Sequence, residues 1–246
     1  MINNKNYIEK GKGNPIILLH GLFGALSNWK TVVNEFSKNH RVIIPKIPLT
    51  EINVKEANLE SLTNFIKRFI NKMKLKNFIL IGNSLGGHIG LIYTILHPKK
   101  VKKLILTGSS GLYENSFGGS FPKRGDYNYI NDRVNHTFYN PNILSKKYID
   151  DVFNTLNDNA KCLNIITIAR SAQRNNLAKK LYKITCPTLL VWGLNDTITP
   201  PSVAHQFHKL IPKSRLKFID KCCHAPMMES PAKFNQLIKP FIEEKQ

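Results

Sequence analysis

Short runs of consecutive apolar residues alternate along this chain with longer segments in which apolar residues recur every three or four positions. Runs such as Pro15–Leu19 and Val101–Thr107 are typical of strands that are buried on both faces of a parallel sheet. Residues 56–73 have the spacing of an amphipathic helix. The predicted strands are 7–9, 15–19, 41–44, 77–81, 101–107, 188–192 and 215–219. Alternating strands and helices predict an α/β fold, a doubly wound and mostly parallel sheet with helices on both faces.

The alternation pauses between residues 108 and 183. This segment has no run typical of a strand, but helical spacing of apolar residues recurs within it, as over 146–156 and 159–172. The strands on either side are therefore expected to belong to one sheet. We predict a core of residues 1–108 and 183–246 and an inserted helical cap of residues 109–182.

Length and composition fit one domain with an insertion. The chain has 246 residues, of which 42% are hydrophobic, enough for a sizeable core. No run approaches the ~18 apolar residues of a membrane helix, and the first residues lack the apolar stretch of a signal peptide, so we expect a cytoplasmic protein without a membrane partner. The four cysteines lack metal-ligand spacing, and we interpret them as reduced packing residues.

The net charge of +20 admits two interpretations. A strongly basic chain can bind an anionic partner such as nucleic acid or a membrane surface. The basic residues are scattered, however, without the arm or stripe of nucleic-acid-binding proteins. Lysine is also abundant together with asparagine and isoleucine, which share A/T-rich codons. We therefore attribute the charge to compositional drift and expect no nucleic-acid partner.

Residues 82–87, Gly-Asn-Ser-Leu-Gly-Gly, have the pattern of a nucleophile elbow. A buried strand precedes them and an apolar helix follows, which is the context of a sharp turn at the central serine. Such a turn strains the backbone of Ser84, so its neighbours two residues away, Gly82 and Gly86, must be small. Ser84 is therefore the candidate nucleophile, lifted out of the sheet beside the positive end of the following helix.

A nucleophilic serine needs a base, and the base needs an acid that orients it. In this class of fold the order along the chain is serine, acid, histidine, each after a strand. Asp196 follows the sixth predicted strand and His224 follows the seventh. We predict a triad of Ser84, Asp196 and His224. Asp220 is an alternative acid, but it lies close to His224 in sequence, after the same strand.

An oxyanion hole needs two N–H donors. Leu85, directly after Ser84, supplies one through its backbone. The loop after the second strand, His-Gly-Leu-Phe-Gly at 20–24, supplies the other, for which Leu22 is the candidate. We interpret His20 as structural, holding this loop by hydrogen bonds. Chemistry of this kind needs no cofactor or metal, and we expect none.

Four motifs at these spacings resemble those of the α/β-hydrolase superfamily. They are His-Gly-x-x-Gly at 20–24, Gly-Asn-Ser-Leu-Gly-Gly at 82–87, Trp-Gly-x-Asn-Asp at 192–196 and Cys-x-His-Ala-Pro at 222–226. The resemblance covers nearly the whole chain outside 109–182 and implies the α/β-hydrolase fold. Within the superfamily the chain is similar to a small cytoplasmic group of three kinds. These are the meta-cleavage-product C–C hydrolases, the menaquinone-pathway enzyme that eliminates pyruvate to form succinyl-hydroxycyclohexadiene carboxylate, and the pimeloyl-ester carboxylesterases.

At three places the sequence departs from the pattern of these enzymes, so the resemblance does not identify the substrate. Ala225 stands directly after His224, where the C–C hydrolases usually carry tryptophan. Residues 157–160, Asn-Asp-Asn-Ala, offer no match for the cap arginine with which those enzymes hold a substrate carboxylate. The loop after the third strand reads Pro-Lys-Ile-Pro at 45–48 instead of the superfamily's usual Asp-x-x-Gly-x-Gly.

The leading hypothesis is a serine hydrolase that acts on a small ester, thioester or C–C bond substrate. The alternatives are the pyruvate-eliminating synthase of the menaquinone pathway and a non-hydrolytic small-molecule receptor of this fold. Because residues 109–182 are rich in lysine and arginine, and related enzymes take carboxylated substrates, we further predict a substrate with a carboxylate. Arg124, which follows the Gly-Gly-Ser-Phe-Pro loop at 118–122, is the residue expected to hold it.

Overall fold

One sheet organises the chain. The computed structural model describes residues 2–4, 6–24, 26–115 and 123–244. The strands are β1 (Ile2–Asn4), β2 (Tyr7–Lys10), β3 (Pro15–Leu19), β4 (Arg41–Pro45), β5 (Phe78–Asn83), β6 (Val101–Thr107), β7 (Thr188–Gly193) and β8 (Ser214–Ile219). They form an 8-stranded sheet in the order β1-β2-β4-β3-β5-β6-β7-β8. β2 pairs antiparallel with β1 and β4, and all other pairs are parallel.

Helices cover both faces of this sheet. They are α1 (Lys30–Phe36), α2 (Leu59–Lys72), α3 (Leu85–Leu96), α4 (Tyr127–Asn135), α5 (Lys146–Asn157), α6 (Asn159–Arg174), α7 (Pro201–Leu210), α8 (Pro226–Glu229) and α9 (Pro231–Glu243). Successive strand residues point to opposite faces. In β3, Ile17 and Leu19 therefore pack with α2, α3 and α7, whereas Ile16 and Leu18 pack with α1 and α9. This explains why the central strands are apolar at every position.

Between β6 and β7 the described chain is helical and contains no strand. It holds α4, α5 and α6, which share a small apolar cluster of their own. These helices lie where the insertion was predicted, and the division of the chain into two units at residues 109 and 182 stays a prediction. The predicted Gly-Gly-Ser-Phe-Pro loop at 118–122 lies outside the described residues.

Three elements differ from the sequence prediction, each for a local reason. β1 was missed because its sequence, Ile-Asn-Asn, is mostly polar. α8 has four residues, too few to show a helical period. α2 begins at Leu59 instead of 56 because the side chain of Asn58 accepts a hydrogen bond from the Ser61 N–H and starts the helix there.

The cysteines agree with the interpretation made from composition. All four cysteines are free thiols and buried. No helix in the described part of the chain is both long enough and apolar enough to cross a membrane.

A buried lysine, Lys103, binds the C-terminal end of the last helix, α9. Lys103 of β6 is 2% exposed, and its Nζ donates to the carbonyls of Phe241 at 2.6 Å, Ile242 at 3.1 Å and Glu244 at 2.6 Å. These carbonyls lie at the C-terminus of α9, where they lack partners within the helix and where the helix dipole favours a cation.

We predict that Lys103→Met lowers the free energy of unfolding by about 2–3 kcal/mol, because three carbonyls, two of them buried, lose a charged donor. The measurement is urea denaturation followed by circular dichroism. The control is Lys99→Met, which changes an exposed lysine. Equal denaturation midpoints for both variants would show that Lys103 does not hold α9.

Candidate active site

Ser84 lies at the junction of β5 and α3 in a strained backbone conformation. Its φ is 53° and its ψ is −121°, a region that residues with a side chain rarely adopt. A Cβ at Gly82 would lie 2.6 Å from the Gly86 carbonyl oxygen, and a Cβ at Gly86 would lie 2.3 Å from the Leu19 carbonyl oxygen. Both positions therefore require glycine, as the elbow pattern predicted, and the turn packs directly against the end of β3.

The loop that follows β3 lies beside Ser84. A Cβ at Gly21 would lie 3.1 Å from the Ser84 Cβ, and the Gly24 N–H donates to the Gly21 carbonyl at 3.0 Å. His20 is buried, and its Nδ1 is 3.0 Å from the Gly21 carbonyl while its Nε2 accepts from the Ile47 N–H at 3.2 Å. Burial lowers the pKa of His20. His20 is thus a neutral residue that fixes the loop, as interpreted from the sequence.

Asp196 and His224 are hydrogen-bonded to each other above the ends of β7 and β8. The His224 Nδ1 lies 3.1 Å from Asp196 Oδ1 and 3.0 Å from Oδ2. The Asp196 side chain is 0% exposed and also accepts from the Ile198 N–H, the Thr199 N–H and the Thr199 hydroxyl, each at 2.9 Å. These donors stabilise a buried carboxylate and hold it in one orientation.

Asp220 was the alternative acid. It lies in the turn after β8, where its side chain is exposed. The carboxylate that bonds to the His224 ring is that of Asp196, so the geometry favours the first choice.

Ser84, His224 and Leu22 line one small cavity. Its volume is about 60 Å³, and its other walls come from the loop at 21–24, from α4 and α5, and from Ala225 and Met228. Asn83 and Phe138 close it further. The structure therefore brings together the predicted nucleophile, the predicted base and Leu22, one of the two predicted oxyanion donors. Leu85, the other predicted donor, directly follows Ser84 as the first residue of α3 and is buried.

Sequence reasoning missed Glu229, which anchors the loop that carries His224. Its Oε1 accepts from the N–H groups of Cys223 at 3.0 Å and Ala225 at 3.2 Å, the two neighbours of His224. Its Oε2 accepts from the Tyr139 N–H at 2.7 Å. The carboxylate thus joins the His224 loop to the chain that follows α4. Its place five residues after His224, on a four-residue helix, gives no periodic signal by which it could be found.

Two further contacts hold the same loop. The Asn83 side chain donates to the carbonyls of His224 and Thr107, both at 3.0 Å. The His224 N–H donates to the Thr137 carbonyl at 3.2 Å. The residues directly before Ser84 and after α4 therefore both position His224.

The charges around His224 set its protonation. Burial lowers the pKa of His224, but the Asp196 carboxylate, by its charge and its hydrogen bond, raises it, and the charges of Glu114 and Glu229 raise it further. The net direction is upward from the ordinary 6.5. Glu114 is held by the Ser110 hydroxyl at 2.5 Å. In a chain with a net charge of +20, three of the 16 acidic residues act on one histidine.

The structure does not bring Arg124 to this site. Its guanidinium donates to the Leu156 carbonyl at 3.4 Å and to Asn159 Oδ1 at 2.5 Å, between the end of α5 and the start of α6. Arg124 is not among the described residues that line the Ser84 cavity or the larger cavity beside it. The Gly-Gly-Ser-Phe-Pro loop at 118–122, from which the place of Arg124 was predicted, lies outside the described residues. A carboxylate contact by Arg124 stays a prediction that this geometry does not support.

No cluster of three or more metal-ligating side chains is present among the described residues.

Comparison with known proteins agrees with this architecture. The sequence profile of the alpha/beta hydrolase fold matches residues 14–231. The chain belongs to this family. A solved alpha/beta hydrolase enzyme from the metagenome of sediments of the lagoon of Mar Chica, Morocco, is 38% identical, with a TM-score of 0.80 over 99% of this chain and 97% of that one.

Curated relatives of this chain include a protein named as a hydrolase and one named as a lipase. The 2-hydroxy-6-oxo-6-(2'-aminophenyl)hexa-2,4-dienoic acid hydrolase of Metapseudomonas resinovorans is 28% identical over 96% of this chain and 86% of its own. Lipase 1 of Psychrobacter immobilis is 26% identical over 91% of this chain and 76% of its own. Both support a hydrolase enzyme, and their different substrates show that the family alone does not fix what is cleaved.

We predict that Glu229→Gln lowers the pKa of His224, because it removes one of the negative charges that favour the imidazolium. The measurement is an NMR titration of the His224 imidazole. Glu60→Gln, which changes an exposed glutamate on α2, is the control. An unchanged or raised His224 pKa in Glu229→Gln would contradict this description of the site.

Proposed function

We propose that this chain is a serine hydrolase with Ser84 as nucleophile, His224 as base and Asp196 as orienting acid. The observation that supports it most is the His224–Asp196 hydrogen bond at 3.0 Å beside the cavity that Ser84 shares with His224. A buried carboxylate on Nδ1 leaves Nε2 of a neutral imidazole free to take a proton from a serine hydroxyl.

The steps follow from these positions. Ser84 Oγ attacks the substrate carbonyl while His224 Nε2 takes the hydroxyl proton, and Asp196 stabilises the imidazolium that forms. The N–H groups of Leu22 and Leu85 donate to the oxyanion, and the N-terminus of α3 adds its positive potential. His224 then returns the proton to the leaving group, and a water molecule, activated by the same histidine, releases the acyl group from Ser84.

The substrate class is a small ester, thioester or C–C bond substrate. Similarity to a hydrolase of a meta-cleavage product supports the C–C bond, and similarity to a lipase supports the ester. Ala225, which contributes no ring beside His224, and the lack of an arginine at residues 157–160 distinguish this chain from the pattern expected of C–C hydrolases. We therefore place esters and thioesters first.

The two alternatives predict different behaviour. A pyruvate-eliminating synthase of the menaquinone pathway would release pyruvate from its own substrate and hydrolyse simple esters poorly. A receptor of this fold would bind a small molecule with little or no turnover. The complete set of Ser84, Asp196 and His224 favours an enzyme.

We predict that Ser84→Ala lowers turnover of p-nitrophenyl esters by about 10⁴–10⁶, because the nucleophile is lost while binding is not. Ser202→Ala, which changes an exposed serine on α7, should keep full activity. The assay is release of p-nitrophenol by purified protein. Turnover that survives in Ser84→Ala would exclude Ser84 as nucleophile.

We predict that Asp196→Asn removes most of the activity of the folded protein, whereas Asp220→Asn removes little, because Asp220 is exposed and Asp196 bonds to His224. For the wild type, kcat/KM should rise with pH through the His224 pKa, above the ordinary 6.5, because only the neutral imidazole accepts a proton. The reverse order of the two variants would mean that the acid is Asp220.

A further inference from the structure

The Ser84 cavity is small for a substrate. Its volume of about 60 Å³ is well below the ~300–1,000 Å³ of pockets that bind small molecules. It can hold the reacting carbonyl group, but the rest of a substrate must extend beyond it.

A larger cavity lies next to it. This side cavity has a volume of about 470 Å³, within the range of pockets that bind small molecules. It lies between the 20–24 loop, the loop after β4, and helices α5 and α6. The two cavities share five lining residues: Leu22, Phe23, Gly24, Tyr148 and Val152. These five residues form a shared wall, so the two cavities are adjacent.

Tyr148 and Phe23 stand at that wall. The Tyr148 hydroxyl donates to the Phe23 carbonyl at 3.3 Å, and its ring packs edge-on against Phe138 with centroids 6.4 Å apart. The Tyr148 hydroxyl is thus already hydrogen-bonded, so the ring is the part of this side chain that is left to contact a substrate. Val152, buried on α5, adds an apolar surface beside it.

The interior of the side cavity is apolar. Beyond the shared wall its buried lining includes Ile47, Leu49 and Ile165. The charged residues of its described lining have partners: Lys46 bonds to Glu51 at 2.8 Å, and Asp151 bonds to Lys147 at 3.1 Å. Lys46 and Glu51 are about half exposed, so they lie at the rim, the solvent-exposed edge of the side cavity, and not in its interior. Burial leaves His20 neutral.

From these observations we propose that the side cavity binds an apolar, uncharged chain of the substrate while its carbonyl lies at Ser84. The proposal rests on the function proposed above and narrows its substrate class to esters or thioesters with an extended neutral chain. Within the described lining each charged side chain is already paired, and a terminal carboxylate carried into the apolar interior would lose its hydration without gaining a partner.

The variant that tests this is Thr155→Trp. Thr155 lines the side cavity from α5 but not the Ser84 cavity, and its hydroxyl donates to the Asp151 carbonyl one turn earlier at 2.7 Å. Thr167 is a matched control on α6: its hydroxyl donates to the Leu163 carbonyl at 2.8 Å, and it lines neither cavity. Thr155→Leu fills less space and should give a smaller effect in the same direction.

The assay compares kcat/KM for p-nitrophenyl acetate, butanoate and hexanoate, and for the hexanoate analogue with a terminal carboxylate. Wild type should prefer hexanoate to acetate by about ten- to a hundredfold, because each added methylene is buried. Thr155→Trp should reduce that ratio at least about tenfold while its acetate rate stays within about threefold of wild type. Thr167→Trp should keep the wild-type ratio, and the carboxylated analogue should be slower than hexanoate.

Two kinds of failure are distinguishable. Ser84-dependent hydrolysis with no chain-length preference, or with a preference that Thr155→Trp and Thr155→Leu leave unchanged, would overturn the side cavity as the chain site. A faster carboxylated analogue would overturn the neutral-chain assignment. Absence of Ser84-dependent hydrolysis of every ester would overturn the proposed function, and this proposal with it.

Discussion

The close contact between the Ser84 turn and the end of β3 is the constraint on which the rest of the site depends. Ser84 keeps a positive φ only because Gly82 and Gly86 let the turn approach backbone atoms where no Cβ fits. The same contact puts the 20–24 loop against Ser84 and sets the direction of α3. β3 and β6, the parallel neighbours of β5, hold the turn at Ser84 in this strained conformation.

The second element is the loop that carries His224, which contacts groups from four separate parts of the chain. Asp196 bonds to the His224 ring, Glu229 holds the backbone on both sides of it, and Asn83 holds its carbonyl. The chain after α4 joins this arrangement through Thr137 and Tyr139. The helices between β6 and β7 are therefore attached directly to the group that would transfer the proton.

The sequence was sufficient for features that repeat or have strict steric rules. Strands buried on both faces and the paired glycines around Ser84 have this character. The order along the chain also predicted Asp196 as the partner of His224, while their roles with Ser84 stay a prediction. Glu229 could not be found, because a side chain that accepts backbone N–H groups leaves no pattern in the sequence. Arg124 was assigned from charge and loop position alone, and its hydrogen bonds to Leu156 and Asn159 depend on how α5 and α6 meet, which periodicity does not specify.

Mapping where a fluorophosphonate reacts tests the assignment of Ser84 as nucleophile. Purified wild-type protein is treated with the probe, digested, and its peptides are sequenced by mass spectrometry. The strained turn and the adjacent histidine predict one adduct per chain, on Ser84, formed more slowly as the pH falls below the His224 pKa. An adduct on another residue, or no adduct under conditions that label an ordinary serine hydrolase, would contradict the assignment of Ser84 as nucleophile.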